Sequence, residues 1–500
     1  MSQPQPHIAI LGGGPGGYEA ALVAAQLGAR VTVVDSDGLG GACVLTDCVP
    51  SKTLIATAET MSALRGSAGL GIRAGSGWGE NGAGEGGAGS AGGGGAGGAG
   101  EGGAEGAEGA GGADEGGAGL AGVDAPRLHA RVKSLARAQS ADVAARLAAE
   151  GVEVITGSGL LTGPHVIAVA GREVSADVVL IATGGMPRAL PGAEPDGERI
   201  LNWRQLYDLP ELPPELIVVG SGVTGAEFAS AYQALGCQVT LVSSRERVLP
   251  HEDPDAAVVV EDVFRRRGMT VLSRSRAAAV RREDDRVVVT LTDGRAVTGS
   301  HCLLTVGVVP ATAGLALKEA GIATDDHGFV TVDRVSRTSA PGAYAAGDCT
   351  GVMMLASVAA MQGRIAMWHA LGEAVQPLRL DRVAATIFTD PEIATVGVSQ
   401  RQVESGEVEA AVVKLPLATN PRAKMQGFRD GFVKLFARRG TGMVLGGVVA
   451  APRASELILA VSLAVEQFAT VDQMAQTFAV YPSLSGSVTE AARKLMRPAG

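Results

Sequence analysis

Two stretches of the chain repeat one pattern of apolar and polar positions. Residues 7–35 (HIAILGGGPGGYEAALVAAQLGARVTVVD) and 216–243 (LIVVGSGVTGAEFASAYQALGCQVTLVS) each open on an apolar run and pass through closely spaced glycines. Each then continues as a segment with Ala and Leu on one helical face and ends at Gly28 or Gly236, before a β-branched run. A 3.6-residue apolar period argues helix and a short β-branched run argues buried strand, so both stretches predict strand, glycine turn, helix, strand. Gly12 to Asp35 and Gly220 to Ser243 both span 23 residues. Two βαβ units in one chain predict two dinucleotide-binding domains. Short alternating stretches such as RVVVTLTDGRAVTGSHCLLTVG read as a β-meander returning to a sheet, and from about Gln376 strands and amphipathic helices continue without a glycine fingerprint. The expected architecture is therefore α/β. It has a Rossmann-like domain over residues 1–188, a second over 189–308, a segment over 309–375 that completes the first, and a C-terminal α+β domain over 376–500.

Composition refines this picture. Hydrophobic residues make up 46% of the 500 and aromatics only 3%, so the core must be built from Val, Ala, Leu and Ile, as in buried parallel sheets with covering helices. Residues 74–119 hold 24 of the 72 glycines and almost nothing to bury, which predicts a disordered acidic loop joining two neighbouring helices. That tract carries seven acidic residues and no basic one, so the rest of the chain has 45 acids against 42 bases. A nearly neutral body predicts no affinity for nucleic acid. No stretch approaches the roughly 20 apolar residues of a membrane span, and the first residues lack a charged leader and cleavage signal. A cytoplasmic protein is expected. Five cysteines, Cys43, Cys48, Cys237, Cys302 and Cys349, are an odd, low count and no secreted disulfide framework, so any pair that matters is a candidate for redox or metal chemistry; no metal-ligating residues are assigned.

The glycine positions carry chemistry. Gly12 permits the tight turn, Gly14 lets the backbone approach a pyrophosphate, and Gly17 allows close helix-to-strand contact, while Pro15 suits the first helical turn. The helix N-terminus offers N–H groups and a positive dipole end to phosphate. Asp35 stands where a carboxylate accepts ribose hydroxyls. In the second unit Gly220, Gly222 and Gly225 repeat the turn, but the ribose position is Ser243, followed by Ser244, Arg245 and Arg247. Hydroxyls and guanidinium groups bind a 2′-phosphate that a carboxylate would repel, so NADPH is expected to be accepted, with NADH not excluded.

The most specific stretch is GGACVLTDCVPSK, residues 40–52. Gly41, then Cys43 and Cys48 with four residues between them, then Pro50, Ser51 and Lys52, resemble the redox segment of the flavoprotein disulfide oxidoreductases, the family of dihydrolipoamide dehydrogenase and glutathione reductase. Ala182-Thr183-Gly184 after one apolar strand and Tyr344-Ala345-Ala346-Gly347-Asp348 after another extend the resemblance. It implies that FAD is held in the first domain by the Gly12 turn, Asp35, Gly41, the Ala182 segment, Gly347 and Ala356, with Asp348 on its ribityl chain. It further implies that Lys52 lies by the flavin, paired with Glu227, and that Gly307 borders the NAD(P) site. A cation there stabilises charge on a reduced ring, and a carboxylate keeps a buried lysine charged.

Departures from the family pattern shape the expected activity. Where its disulfide reductases carry His-Pro-Thr-x-x-Glu, this chain reads Tyr481-Pro482-Ser483-Leu484-Ser485-Gly486, and no histidine follows His369. Tyrosine, with an ordinary pKa of about 10, is a poor base near neutrality. The segments RVLPHEDPDAA, YAAGDCTG, LASVAAMQGRIAM and AVYPSLSGSVTEAARKLM are similar to the FAD-dependent NAD(P)H-quinone dehydrogenases that branch from this family. The resemblance implies hydride transfer from NADPH or NADH to flavin, then two electrons to a quinone near Tyr481 and the Cys43/Cys48 turn. It also implies a homodimer, with the Tyr481 segment reaching the partner subunit's flavin site. A disulfide reductase using Cys43 and Cys48 with another base competes with this reading, and so does a flavin-bearing subunit with little turnover.

Overall fold

A computed structural model of the chain describes residues 5–72 and 122–496. The expected acidic loop over 74–119 lies outside the described residues.

The first strand, His7–Leu11, is wholly apolar after His7 and fully buried, as a central parallel strand must be. It lies between Arg30–Asp35 and Val178–Ile181 in a five-stranded sheet whose edges are Glu153–Thr156 and Ala343–Ala345. All its pairings are parallel. The edge strand Ala343–Ala345 arrives only after the second sheet has been built, so the chain leaves the first unit, makes the second and returns. The second five-stranded sheet, also parallel, runs Thr270–Leu272, Gln238–Val242, Glu215–Val219, His301–Leu304, Ile200–Asn202.

Each parallel sheet carries a three-stranded antiparallel meander. The one over Ala277–Glu283, Arg286–Leu291 and Ala296–Gly299 follows the alternating stretch noted in the sequence. Its counterpart over Gly159–Gly163, Val166–Val169 and Arg172–Ser175 was not anticipated, because its strands are only four or five residues long. A short ribbon, Gly185–Pro187 with Val308–Pro310, ties the two units together.

The C-terminal part is a five-stranded antiparallel sheet in the order Ala385–Ile387, Glu392–Gly397, Val444–Ala451, Phe432–Arg438, Ala410–Pro416, covered by helices Ala454–Glu466, Val471–Gln476 and Gly486–Leu495. A buried charge cluster docks it on the second unit. Lys434, 1% exposed, donates to both carboxylate oxygens of Asp253 at 2.9 and 2.7 Å and pairs with Asp255 at 2.6 Å. Asp253 also caps helix Pro254–Arg266 by accepting from the Asp255 and Ala256 N–H groups. An ammonium this deep is tolerable only because two carboxylates surround it.

The flanks of the Gly-rich tract pack together without it. Leu54, Ile55, Ala58 and Met61 of helix Cys48–Gly66 share one apolar core with Leu128 and Val132 of helix Ala125–Ala149. Deleting residues 74–119 and rejoining the flanks is expected to leave the protein folded, since closure cost changes by only about 0.6 kcal/mol per doubling of loop length. Thermal unfolding and cofactor content of the shortened chain check this.

Candidate active site

The first glycine turn opens onto a cavity of about 570 Å³. Its wall includes Gly12, Gly14, Asp35, Gly41, Cys43, Cys48, Ala182, Thr183, Gly184, Gly347, Asp348 and Ala356, so residues scattered over 344 positions of the chain meet around one space. Gly12 has φ +108°, and a Cβ there would collide with the Ala182 carbonyl, so only glycine lets these two strand ends close on each other. Gly17 instead lies against the Gly12 carbonyl, and its work is helix-to-strand packing. A Cβ on Gly41 would stand 2.8 Å from the Gly14 Cα, so these two glycines keep the cavity's entrance narrow and backbone-lined.

Three features fit a bound dinucleotide carrying hydroxyls and a polar ring. Asp35 is locked at the cavity edge, its Oδ2 accepting from Gly13 N–H at 2.6 Å and its Oδ1 from the Asp37 and Gly38 N–H groups at 2.9 and 2.6 Å. Asp348 faces the cavity with no hydrogen-bond donor to its carboxylate among the described residues. Burial, with the charge of Asp47 second, raises its pKa to about 6. Arg204 also lines the cavity; its Nη2 donates to the Gly185 carbonyl at 3.0 Å, while its buried Nε has no partner. An unmet acceptor and an unmet donor inside one glycine-cradled space are what the ribityl hydroxyls and ring of FAD would satisfy.

Lys52, Glu227, Gly17, Gly307 and Tyr481 are not on this wall. Lys52 lies one helical turn beyond Cys48, on the same face of helix Cys48–Gly66. Its Nζ donates to Glu227 Oε2 at 2.8 Å and sits 5.0 Å from the centre of the Phe388 ring. The other Glu227 oxygen accepts from Phe388 N–H at 2.9 Å, so one buried carboxylate joins the first unit, the second unit and the C-terminal part. Burial lowers the Lys52 pKa, but Glu227 outweighs it and the net direction is up. Lys52 stays an ammonium.

The two thiols are free, and each acts on the other's ionisation. The Cys48 thiol holds the Cys43 thiolate below the ordinary thiol range against the opposing effect of burial, while Cys48 itself is pushed far up. Among the cavity residues that the sequence did not point to are Asp47, Trp203 and Arg204. Asp47 stands inside the most specific motif and could have been noticed there. Trp203 and Arg204 follow a strand of the second sheet, and nothing in their spacing points back to the first.

In the second unit Gly220 has φ +114° and lies against the Thr305 carbonyl as Gly12 does against Ala182, and Gly225 backs onto Gly220 as Gly17 does onto Gly12. Ser243 directly follows strand Gln238–Val242, as its spacing implies. It is 0% exposed, its hydroxyl pairs with Ser221 Oγ at 2.7 Å, and it accepts from Arg245 N–H at 3.1 Å. Ser243 shapes the loop from within. Ser244 and Arg245 are exposed on its outside, and neither Arg245 nor Arg247 has a carboxylate partner among the described residues. Tyr481 is 81% exposed.

Two glycine-cradled units with a dithiol and a lysine–glutamate pair between them define a two-nucleotide oxidoreductase. The match to known proteins is specific. The family described as pyridine nucleotide-disulphide oxidoreductase matches residues 6–363, and its dimerisation domain matches 383–492. The chain belongs to this family, which uses FAD with a pyridine nucleotide. It is 54% identical over 503 residues to a Mycobacterium tuberculosis protein named NAD(P)H dehydrogenase (quinone), covering 98% of this chain and 94% of the relative. It is 31% identical to a dihydrolipoyl dehydrogenase of Chlorobaculum tepidum, over 99% of this chain and 97% of that one. The crystal structure of LpdA from M. tuberculosis superimposes with a TM-score of 0.85 at 52% identity, covering 98% of this chain and 100% of that one. Among the described residues no helix is long and apolar enough to cross a membrane.

Proposed function

We propose that this protein is an NAD(P)H:quinone oxidoreductase with FAD held in the cavity of the first unit. The single observation that carries this reading is the Tyr481 segment. An exposed tyrosine and Gly486 occupy the place of a His–Glu pair, so this segment offers the Cys43/Cys48 dithiol no histidine base for disulfide exchange. The similarity to the M. tuberculosis protein named a quinone dehydrogenase supports it.

FAD, when bound, supplies two-electron transfer between the pyridine nucleotide and the acceptor. The chain's own residues bind and orient. The Gly12 turn and the N-terminus of helix Pro15–Gln26 hold the pyrophosphate, Asp35 accepts from ribose and Asp348 from the ribityl chain. Lys52, kept charged by Glu227, projects a positive potential toward the Cys48 side of the cavity. In the second unit the Gly220 turn takes the nicotinamide dinucleotide's pyrophosphate, and Arg245 with Arg247 meets a 2′-phosphate. The anaerobic test is to mix the yellow protein with NADPH and then add menadione or lipoamide. Reoxidation by menadione and not by lipoamide supports this function, and the reverse refutes it.

Arg245→Ala together with Arg247→Ala is expected to raise the KM for NADPH by roughly tenfold and leave that for NADH within twofold, because exposed guanidinium contacts to phosphate are worth about 1–2 kcal/mol. Initial rates with both nucleotides check this. Equal loss for both would move the 2′-phosphate site elsewhere.

The side chains Leu459, Leu463, Phe468, Phe478, Val480 and Tyr481 of the C-terminal part are each exposed, Phe478 fully so. Apolar exposure on the matched dimerisation domain is read as the mark of a homodimer. The protein acts in the cytoplasm on this reading.

A further inference from the structure

Reducing a quinone with NAD(P)H consumes one proton that the hydride does not carry, so a group on the acceptor side has to deliver it. The titratable side chains on the cavity wall are Asp35, Asp37, Cys43, Asp47, Cys48, Arg204 and Asp348. Asp35 is held by three backbone N–H groups and Asp348 faces the ribityl position, while Asp37 lies on the ribose side with Asp35. Arg204 does not release a proton near neutrality. Lys52, behind the wall, is pinned by Glu227.

Asp47 is different. It lies between Cys43 and Cys48 in the sequence and on the same cavity wall, at the start of helix Cys48–Gly66, where its backbone is fixed by its N–H donating to the Ala42 carbonyl at 2.8 Å and its carbonyl accepting from Ser51 N–H at 2.8 Å. Among the described residues its carboxyl receives no hydrogen bond, and it does not cap the helix it precedes. Resting on the quinone reading above, we propose that Asp47 is the proton donor to the quinone: its O–H bond breaks, the proton goes to a quinone oxygen, and solvent returns a proton to the carboxylate. The two electrons and the other hydrogen come from NAD(P)H.

The surroundings suit the role. Burial raises the Asp47 pKa, Glu227 adds to this, and Lys52 and Arg204 oppose it. Cys43, Cys48, Asp348 and Tyr207 complete the set of titratable groups within reach of its charge. The net direction is up, toward a carboxyl that carries a proton at higher pH than an exposed aspartate.

The test uses the FAD-loaded full chain and Asp47→Asn, which keeps shape and removes the proton. General acids contribute on the order of 10²–10⁴ in rate, so menadione turnover is expected to fall about a hundredfold. Ferricyanide, which accepts electrons without protons, should be reduced within twofold of the parent rate. The solvent isotope effect on menadione reduction should change, and Asp47→Glu should recover part of the turnover. A readout independent of turnover is the infrared stretch of a protonated carboxyl above the titration range of exposed aspartate; subtracting the Asp47→Asn spectrum should isolate it. Menadione turnover unchanged in Asp47→Asn, or a loss that ferricyanide shares equally, would overturn the assignment. A parent protein that reduces no quinone at all would instead refute the quinone reading itself.

Discussion

Lys52→Met is expected to slow reduction of the bound flavin by NADPH by on the order of a hundredfold, the low end of what removing one preorganised charge from an active site costs. Methionine keeps a similar length, so the change removes the ammonium together with its contacts to Glu227 and to the Phe388 ring. Glu227→Ala should produce a similar kinetic loss by another route. Burial then acts on Lys52 without its main opponent, leaving only the weaker effects of Cys48 and Asp47 against it, so its pKa falls relative to the intact pair. The alanine variant also leaves Phe388 N–H without an acceptor and should lose roughly 2–4 kcal/mol of stability. Stopped-flow flavin bleaching and thermal melts of both variants check these outcomes. A Lys52→Met protein reduced at the parent rate would remove lysine from the chemistry.

Asp348→Ala should weaken FAD retention about 10- to 100-fold, because a ribityl hydroxyl then has no charged acceptor, and a hydrogen bond of that kind is worth roughly 1.5–3 kcal/mol. The same carboxyl gives a pH signature. Without FAD its pKa is about 6, above the ordinary aspartate value, so the folded apoprotein holds this proton more tightly than the unfolded chain does. The apoprotein is therefore penalised above pH 6 and relieved of that cost as the pH falls through 6 toward about 4. FAD binding runs the other way, since the hydroxyl needs the ionised acceptor, so affinity should drop as the pH falls through 6. Fluorescence titration of apoprotein with FAD from pH 5 to pH 8 measures this, and in Asp348→Asn the pH dependence should flatten.

Periodicity alone made the two nucleotide units legible, because a parallel strand, a glycine turn and a helix leave different spacings in the chain. The separation of Gly12 from Asp35 brought the turn and the acid to one cavity edge, as expected from a strand end following a helix. Lys52 and Glu227 lie 175 residues apart, and no local pattern joins them; only the family resemblance did. Spacing fixes a strand's end and not which way the next side chain turns; at the end of Gln238–Val242 the Ser243 hydroxyl pairs with Ser221. Trp203 and Arg204 escaped because their place on the cavity depends on how the second unit is set against the first, and the meander over Gly159–Gly163 to Arg172–Ser175 escaped because each strand is too short to show a period.

The central claim, that electrons pass to quinone without disulfide exchange, rests on the Tyr481 segment, which brings neither a histidine nor a glutamate to the two free thiols on the cavity wall. The direct test is the Cys43→Ser, Cys48→Ser double variant with its FAD content verified, assayed for NADPH:menadione turnover. Exchange through a dithiol needs an attacking thiolate and a second sulfur to resolve the mixed disulfide, so it cannot survive this change. Turnover within about threefold of the parent, a difference of less than 1 kcal/mol in barrier, is the result predicted here; turnover abolished while FAD stays bound would contradict it and make the protein a disulfide reductase.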